Sequence, residues 1–155
     1  MTELGVEVQR AGAGGGVPST RLLKDWARAA WRAESRSADV VVRITGERES
    51  RRLNRDYRGK DRPTNVLSFA SEPLPGIGDS HVGDLVICAP VVLREAAEQG
   101  KSPEAHWAHM VVHGMLHLQG HDHENDADAA AMEALETEIL TGLGFPAPYA
   151  DDETP

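Results

Sequence analysis

The chain has 155 residues, enough for one domain that buries about two-thirds of its unfolded surface without the help of disulfides. Cys88 is the single cysteine; it excludes an internal disulfide, suits a reducing cytosol and reads as a buried strand residue. A formal net charge of -9 excludes a general nucleic-acid coat, because phosphate binding calls for positive surface.

Glu3 to Gln9 alternates polar and apolar residues and predicts a half-buried first strand, followed by the glycine-rich loop 12–16. Ser19 or Thr20 caps a helix through about Glu34, with Leu22, Leu23, Trp26, Ala30 and Trp31 on its apolar face. Val40 to Ile44 predicts a β-branched strand, Glu47 to Arg58 a short basic helix, and Asn65 to Phe69 and Val82 to Cys88 two more strands. Pro90 opens a helix through Gln99, and Ser102 with Pro103 then caps a helix that ends near Gly120. Asn125 or Asp126 begins a last helix with Ala129, Met132, Leu135, Ile139 and Leu140 inside, stopped by Gly142, Gly144 and Pro146. The expected fold is α+β: one domain over residues 1–150, with a small mixed four-stranded sheet, about five helices and a frayed tail at 151–155. There is neither a signal-like start nor an apolar run of membrane-spanning length, so the protein is expected to be soluble and cytoplasmic, with no membrane partner.

Charge is polarised along the chain. Residues 43–62 hold eight basic residues against four acids, whereas residues 121–155 hold ten acids and no Lys or Arg. The first run reads as a solvated basic helix face, with Arg58 the exception taken up below. The acidic run reads as solvated helix or as a contact for a basic partner.

Chemistry concentrates in the stretch 113–123, where His113, His117 and His123 have the spacing of a three-imidazole zinc site. Histidines four apart on a helix share a face, and Gly120 lets the chain leave through a left-handed residue so that His123 can turn back. Three neutral imidazoles leave the fourth position of Zn²⁺ open, which is the pattern of a catalytic site rather than a structural one. His121 is the rival third ligand, and His109 with His113 and His117 also has i+4 spacing. His109 has no following partner to close such a site, so it and His106 read as hydrogen-bonded core residues. Asp122 is placed to orient a ligating imidazole. One class of zinc proteases shares the spacing but has a general-base glutamate after the first histidine, where this chain has Gly114. Asp84 and Asp122 are alternative base candidates, although a Gly-Asp pair more often marks a backbone turn.

The run from Leu53 to Phe69 (LNRDYRGKDRPTNVLSF), Gly83-Asp84-Leu85-Val86-Ile87 and the run from His106 to His117 (HWAHMVVHGMLH) together resemble the YbeY family, over roughly Val40 to Gly144. One departure is His121, where the family commonly has tyrosine. The resemblance implies a zinc-dependent endoribonuclease with a zincin-like metal helix, one Zn²⁺ per chain, and His113, His117 and His123 as its ligands. It implies Arg58 and His113 as catalytic residues, single-stranded RNA as substrate, and a role in maturing the 3′ end of 16S ribosomal RNA and in ribosome quality control. Ribosomes and small-subunit ribosomal proteins are the partners it implies, and DNA is not expected. A guanidinium beside a phosphodiester under attack is chemically apt, whereas the bland alternative for Arg58 is a surface ion pair with Asp56 or Asp61. A metallopeptidase and a non-catalytic zinc-containing assembly factor are the competing readings.

Overall fold

A computed structural model describes residues 4–11, 15–32, 38–70, 81–121 and 125–149. The elements run β1 (Leu4–Ala11), α1 (Thr20–Ala29), β2 (Ala38–Thr45), α2 (Glu47–Arg58), β3 (Val66–Ala70), β4 (His81–Cys88), α3 (Ala89–Gln99), α4 (Pro103–Leu118) and α5 (Asp126–Gly142). The four strands form one mixed sheet in the order β1-β2-β4-β3, with β1, β2 and β4 parallel and the short edge strand β3 antiparallel to β4. The α+β architecture read from the sequence is therefore the one observed, with five helices among the described residues. The expected tail at 151–155 lies outside them.

Local chemistry sets most of the boundaries. Ser19, Ser102 and Asn125 each accept a hydrogen bond from the backbone N–H three residues on, closing the first turns of α1, α4 and α5. Pro103 supplies the preset first residue of α4. The end of α4 is a full Schellman closure: Gly120 takes a left-handed φ of 96°, its N–H donates to the His117 carbonyl, and the His121 N–H donates to the Leu116 carbonyl. The exit foreseen at Gly120 is thus present.

Two expectations are corrected. The first helix stops at Ala29 rather than near Glu34, because the Gln119 amide donates to the Ala30 carbonyl while its oxygen accepts from the Arg32 N–H, at 2.7 and 2.8 Å. That clamp comes from the end of α4 and has no local signal. Asp84 is not in a turn: it lies within β4, opposite Val41 and Phe69, just past a register shift between β2 and β4. Gly83 allows the crowding there, since a Cβ would overlap the Phe69 carbonyl oxygen and approach Leu118 Cδ2 to 2.7 Å.

Helix α4 is the hub. Eleven of its sixteen residues are buried, and it packs on α1, α3, α5, β3 and β4. Alternate residues of the pleated sheet face it, Leu85 and Val66 among them, while Val41, Arg43, Phe69, Asp84 and Val86 line a groove of about 530 Å³ on the other face with Leu53 and Tyr57 of α2. Helices α2 and α4 therefore lie on opposite faces. Gly114 lets α4 approach the sheet closely: a Cβ there would sit 2.8 Å from Leu85 Cδ2 and 3.2 Å from Val66 Cγ2. A second tie joins α3, α4 and the start of β3: the Glu95 carboxylate accepts from Asn65 at 3.1 Å and faces His106 Nε2 at 2.9 Å.

Gly114→Ala is expected to lower stability by about 1 kcal/mol, overpacking outweighing the gain in helix propensity, and Gly114→Glu by more than about 3 kcal/mol; urea unfolding midpoints measure both. Burial raises the Glu95 carboxyl, but hydrogen bonds from His106 and Asn65, with the positive potential of His106 and Arg94, outweigh it and leave the group below its ordinary value of 4.5. Its contribution is complete above pH 4.5 and fades as pH falls through the lowered value. Glu95→Gln should be less stable than the parent at pH 7, and the gap should narrow between pH 5 and pH 3 in parallel denaturant titrations.

Candidate metal centre

The histidines of α4 form a continuous row. Rings His106 and His109 lie 6.2 Å apart, His109 and His113 6.3 Å, and His113 and His117 4.8 Å, each pair edge-on. Their environments differ. His106 and His109 are buried, as core histidines were expected to be, and each faces a carboxylate: Glu95 for His106, Glu136 for His109. His113 and His117 are only partly buried, one helical turn apart, and close to the Gly120 exit. The structure therefore brings together two of the three histidines expected to share an ion. His123 and Asp122 lie outside the described residues. His121 immediately follows Gly120, and its backbone is held by the helix closure.

Glu136 of α5 is the residue that sequence reasoning missed. Its side chain is 1% exposed, yet it touches three polar groups. One oxygen lies 3.3 Å from His113 Nδ1; the other receives the Tyr149 hydroxyl at 2.9 Å and makes a close hydrogen bond with His109 Nε2. Burial acts to raise this carboxyl, but the hydrogen bonds from His109 and His113 outweigh it and bring it down to about 2. Burial is also the leading influence on His109; it lowers the imidazole, and Glu136 opposes it only in part. An ionised carboxylate accepting from a neutral His109 N–H satisfies both tendencies.

This contact corrects the expectation that His109 has no partner to close a site. His109, His113 and Glu136 offer ligand atoms within 4.8 Å of one another and could hold a metal ion. The partner comes from a helix 27 residues on in sequence, so spacing within α4 did not reveal it. A signal was nevertheless present, because Glu136 occupies the helical position four after Met132 and three before Ile139, in the apolar stripe of α5. A lone carboxylate in such a stripe demands a buried partner.

Arg58 is the last residue of α2, exposed, just before left-handed Gly59 at φ 72°. Its expected alternative partners are taken: Asp56 pairs with Arg55 at 3.2 Å and Asp61 with Arg51 at 2.8 Å. From Arg58 the chain folds back along α2, where Asn54 donates to the Arg62 carbonyl and Ser50 to that of Thr64, and then enters β3. Ser68 of β3 donates to the Gly114 carbonyl, which links this edge to the turn of α4 that carries His113. Asp84 is on the groove side of the sheet, away from α4, with its carboxylate 3.4 Å from His81 Nε2. It is not placed to act as a base at the histidines. Cys88 is fully buried at the junction of β4 and α3. No helix among the described residues is long and apolar enough to cross a membrane.

Comparison with known proteins bears on the same residues. Residues 18–144 match the family model described as Endoribonuclease YbeY. The chain is 52% identical over 154 residues to the endoribonuclease YbeY of Halorhodospira halophila, covering 97% of this chain and 99% of that protein. It is 57% identical over 135 residues to the endoribonuclease YbeY of Methylococcus capsulatus, covering 87% and 89%. Among solved structures, the solution structure of TM1509 from Thermotoga maritima superposes with a TM-score of 0.57 at 26% identity, over 96% of this chain and 99% of that one. Both the matched span, which holds α1 to α5 and the whole histidine row, and the identity along nearly the full length lead to one assignment: the chain belongs to the endoribonuclease YbeY family.

Proposed function

We propose that this chain is a zinc-dependent endoribonuclease that cuts single-stranded RNA and acts in maturing the 3′ end of 16S ribosomal RNA and in ribosome quality control in the cytoplasm, as a single domain over residues 1–150. The observation that carries the enzymatic part is the pairing of His113 and His117, partly open and 4.8 Å apart, within a chain of the endoribonuclease YbeY family. Family membership and the relatives' names support RNA as substrate. The ribosomal role rests on resemblance alone, and a ribosomal protein contacting the acidic final third belongs to the same reading.

The donor set fits a borderline-soft divalent ion. His113 and His117, with His123, would hold one Zn²⁺, and Zn²⁺ there would polarise a phosphate oxygen and acidify a bound water. We prefer this set to His109, His113 and Glu136 for two reasons. His109 is 7% exposed with Nε2 committed to Glu136, whereas a catalytic ion needs an open side, which the more exposed His113 and His117 provide. Arg58 would supply a fixed guanidinium whose two N–H donors match the oxygens of a phosphodiester as negative charge builds on them.

The competing readings lose ground on specific residues. A peptidase needs a carboxylate beside its ion, and the position that would carry it, Gly114, is packed against Leu85 and Val66 with no space for a side chain. A structural zinc is normally closed by a fourth ligand such as cysteine, and Cys88 is sealed at the β4–α3 junction.

The test is cleavage of single-stranded RNA, duplex RNA and casein by zinc-loaded protein, with and without chelator. Only single-stranded RNA should be lost, and only without chelator. Arg58→Glu should keep its zinc and lose at least about 100-fold in rate, as removal of one stabilising donor does elsewhere. The His113→Ala, His117→Ala double variant should lose both metal and activity. Full activity in Arg58→Glu would reject the role given to that residue.

A further inference from the structure

Glu136 has no place in the function outlined above, yet it is the most constrained charged side chain described. It is 1% exposed, it belongs to α5 rather than to the helix of the histidines, and it shares the buried stripe of α5 with Met132, Ile139 and Leu140. An ionised carboxylate can only accept hydrogen bonds. Every proton in its contacts must therefore lie on the partner: on Tyr149 Oη, on His109 Nε2 and on His113 Nδ1. For His109 this places the proton on the nitrogen that faces Glu136, which removes that nitrogen as a ligand. For His113 the consequence is the reverse. With its proton on Nδ1, a neutral imidazole carries its lone pair on Nε2, across the ring from Glu136.

We propose that Glu136 is the positioning residue of the metal centre: it fixes the tautomer and ring direction of His113 so that Nε2 is the nitrogen presented to a divalent cation. The inference rests on the reading of His113, His117 and His123 as the ligand set. Tyr149 and His109 fill the second oxygen and hold the carboxylate plane, so that its first oxygen is directed at His113 Nδ1. A carboxylate behind a ligating imidazole also raises the basicity of the ligating nitrogen, and loss of such a partner typically weakens metal binding by about 10- to 100-fold.

Glu136→Gln tests this, because it keeps the shape and replaces one acceptor oxygen with a donor amide. Zinc affinity is measured by competition with a chromophoric chelator, histidine tautomers by two-bond proton–nitrogen NMR of the metal-free protein, and folding by thermal unfolding. The wild-type protein should show His113 protonated at Nδ1. Glu136→Gln should show a mixture of tautomers, a Kd for Zn²⁺ weaker by about 10- to 100-fold and the folded signature of the parent. Unchanged zinc affinity in Glu136→Gln would overturn the proposal, as would a zinc absorption spectrum whose oxygen ligand vanishes in that variant, since Glu136 would then be a direct ligand. If Glu136→Gln unfolds, the wild-type spectrum still decides, because His113 protonated at Nε2 sinks the idea. Failure of the underlying ligand set gives a different result: zinc affinity in the His113→Ala, His117→Ala double variant would equal that of the parent.

Discussion

A negative charge with 1% exposure is the constraint around which this molecule is organised. Leaving such a carboxylate without partners costs about 3–5 kcal/mol, a large share of the stability of a domain this size. Three donors from two further parts of the chain must converge on Glu136: His109 and His113 from α4, and Tyr149 from beyond α5. That requirement fixes how α5 is rotated against α4 and where the chain after Gly144 has to run. Core packing and histidine geometry thus meet at a single group.

The second constraint is steric. Helix α4 is buried on almost every side, and the most open histidines of its row are His113 and His117, near its C-terminal end. Gly114 lowers that part of the helix onto Leu85 and Val66. The Gln119 side chain then ties the helix end to Ala30 and to its own Met115 carbonyl at 2.9 Å. The turns of α4 that carry His113 and His117 are gripped from the sheet, from the end of α1 and from α5. A rigid support of this kind holds imidazoles in place, which a site on a mobile loop does less well.

Sequence reading succeeded where the signal was local. The span of α2, the serine caps, the Asn125 cap and the left-handed exit at Gly120 all follow from residue chemistry within a few positions. It failed where the cause lay across the fold. Helix α1 was drawn too long because Gln119, 87 residues away, supplies the hydrogen bond that ends it. The Gly83-Asp84 pair carries a turn signal that competes with the strand expected over Val82 to Cys88; the strand forms, and Gly83 serves close strand crowding. Glu136 was absorbed into an acidic stretch and read as solvated, although its place between Met132 and Ile139 set it apart from the exposed acids around it. The histidine pair His113 and His117 was legible; the carboxylate behind it was legible only to a reader who asked what that stripe could tolerate.

The location of that carboxylate also bears on chemistry. In the protease pattern with the same spacing, the carboxylate follows the first histidine and lies beside the substrate, where it can take a proton. Here the carboxylate that contacts His113 approaches its Nδ1 side, out of solvent, and all three of its contacts are with protein donors. Buried and fully engaged, that group is placed to orient the imidazole rather than to meet a substrate. In the proposed reading the reaction therefore leans on stabilising charge. That reading suits a phosphodiester, whose transition state spreads negative charge over its oxygens, better than it suits a neutral peptide bond.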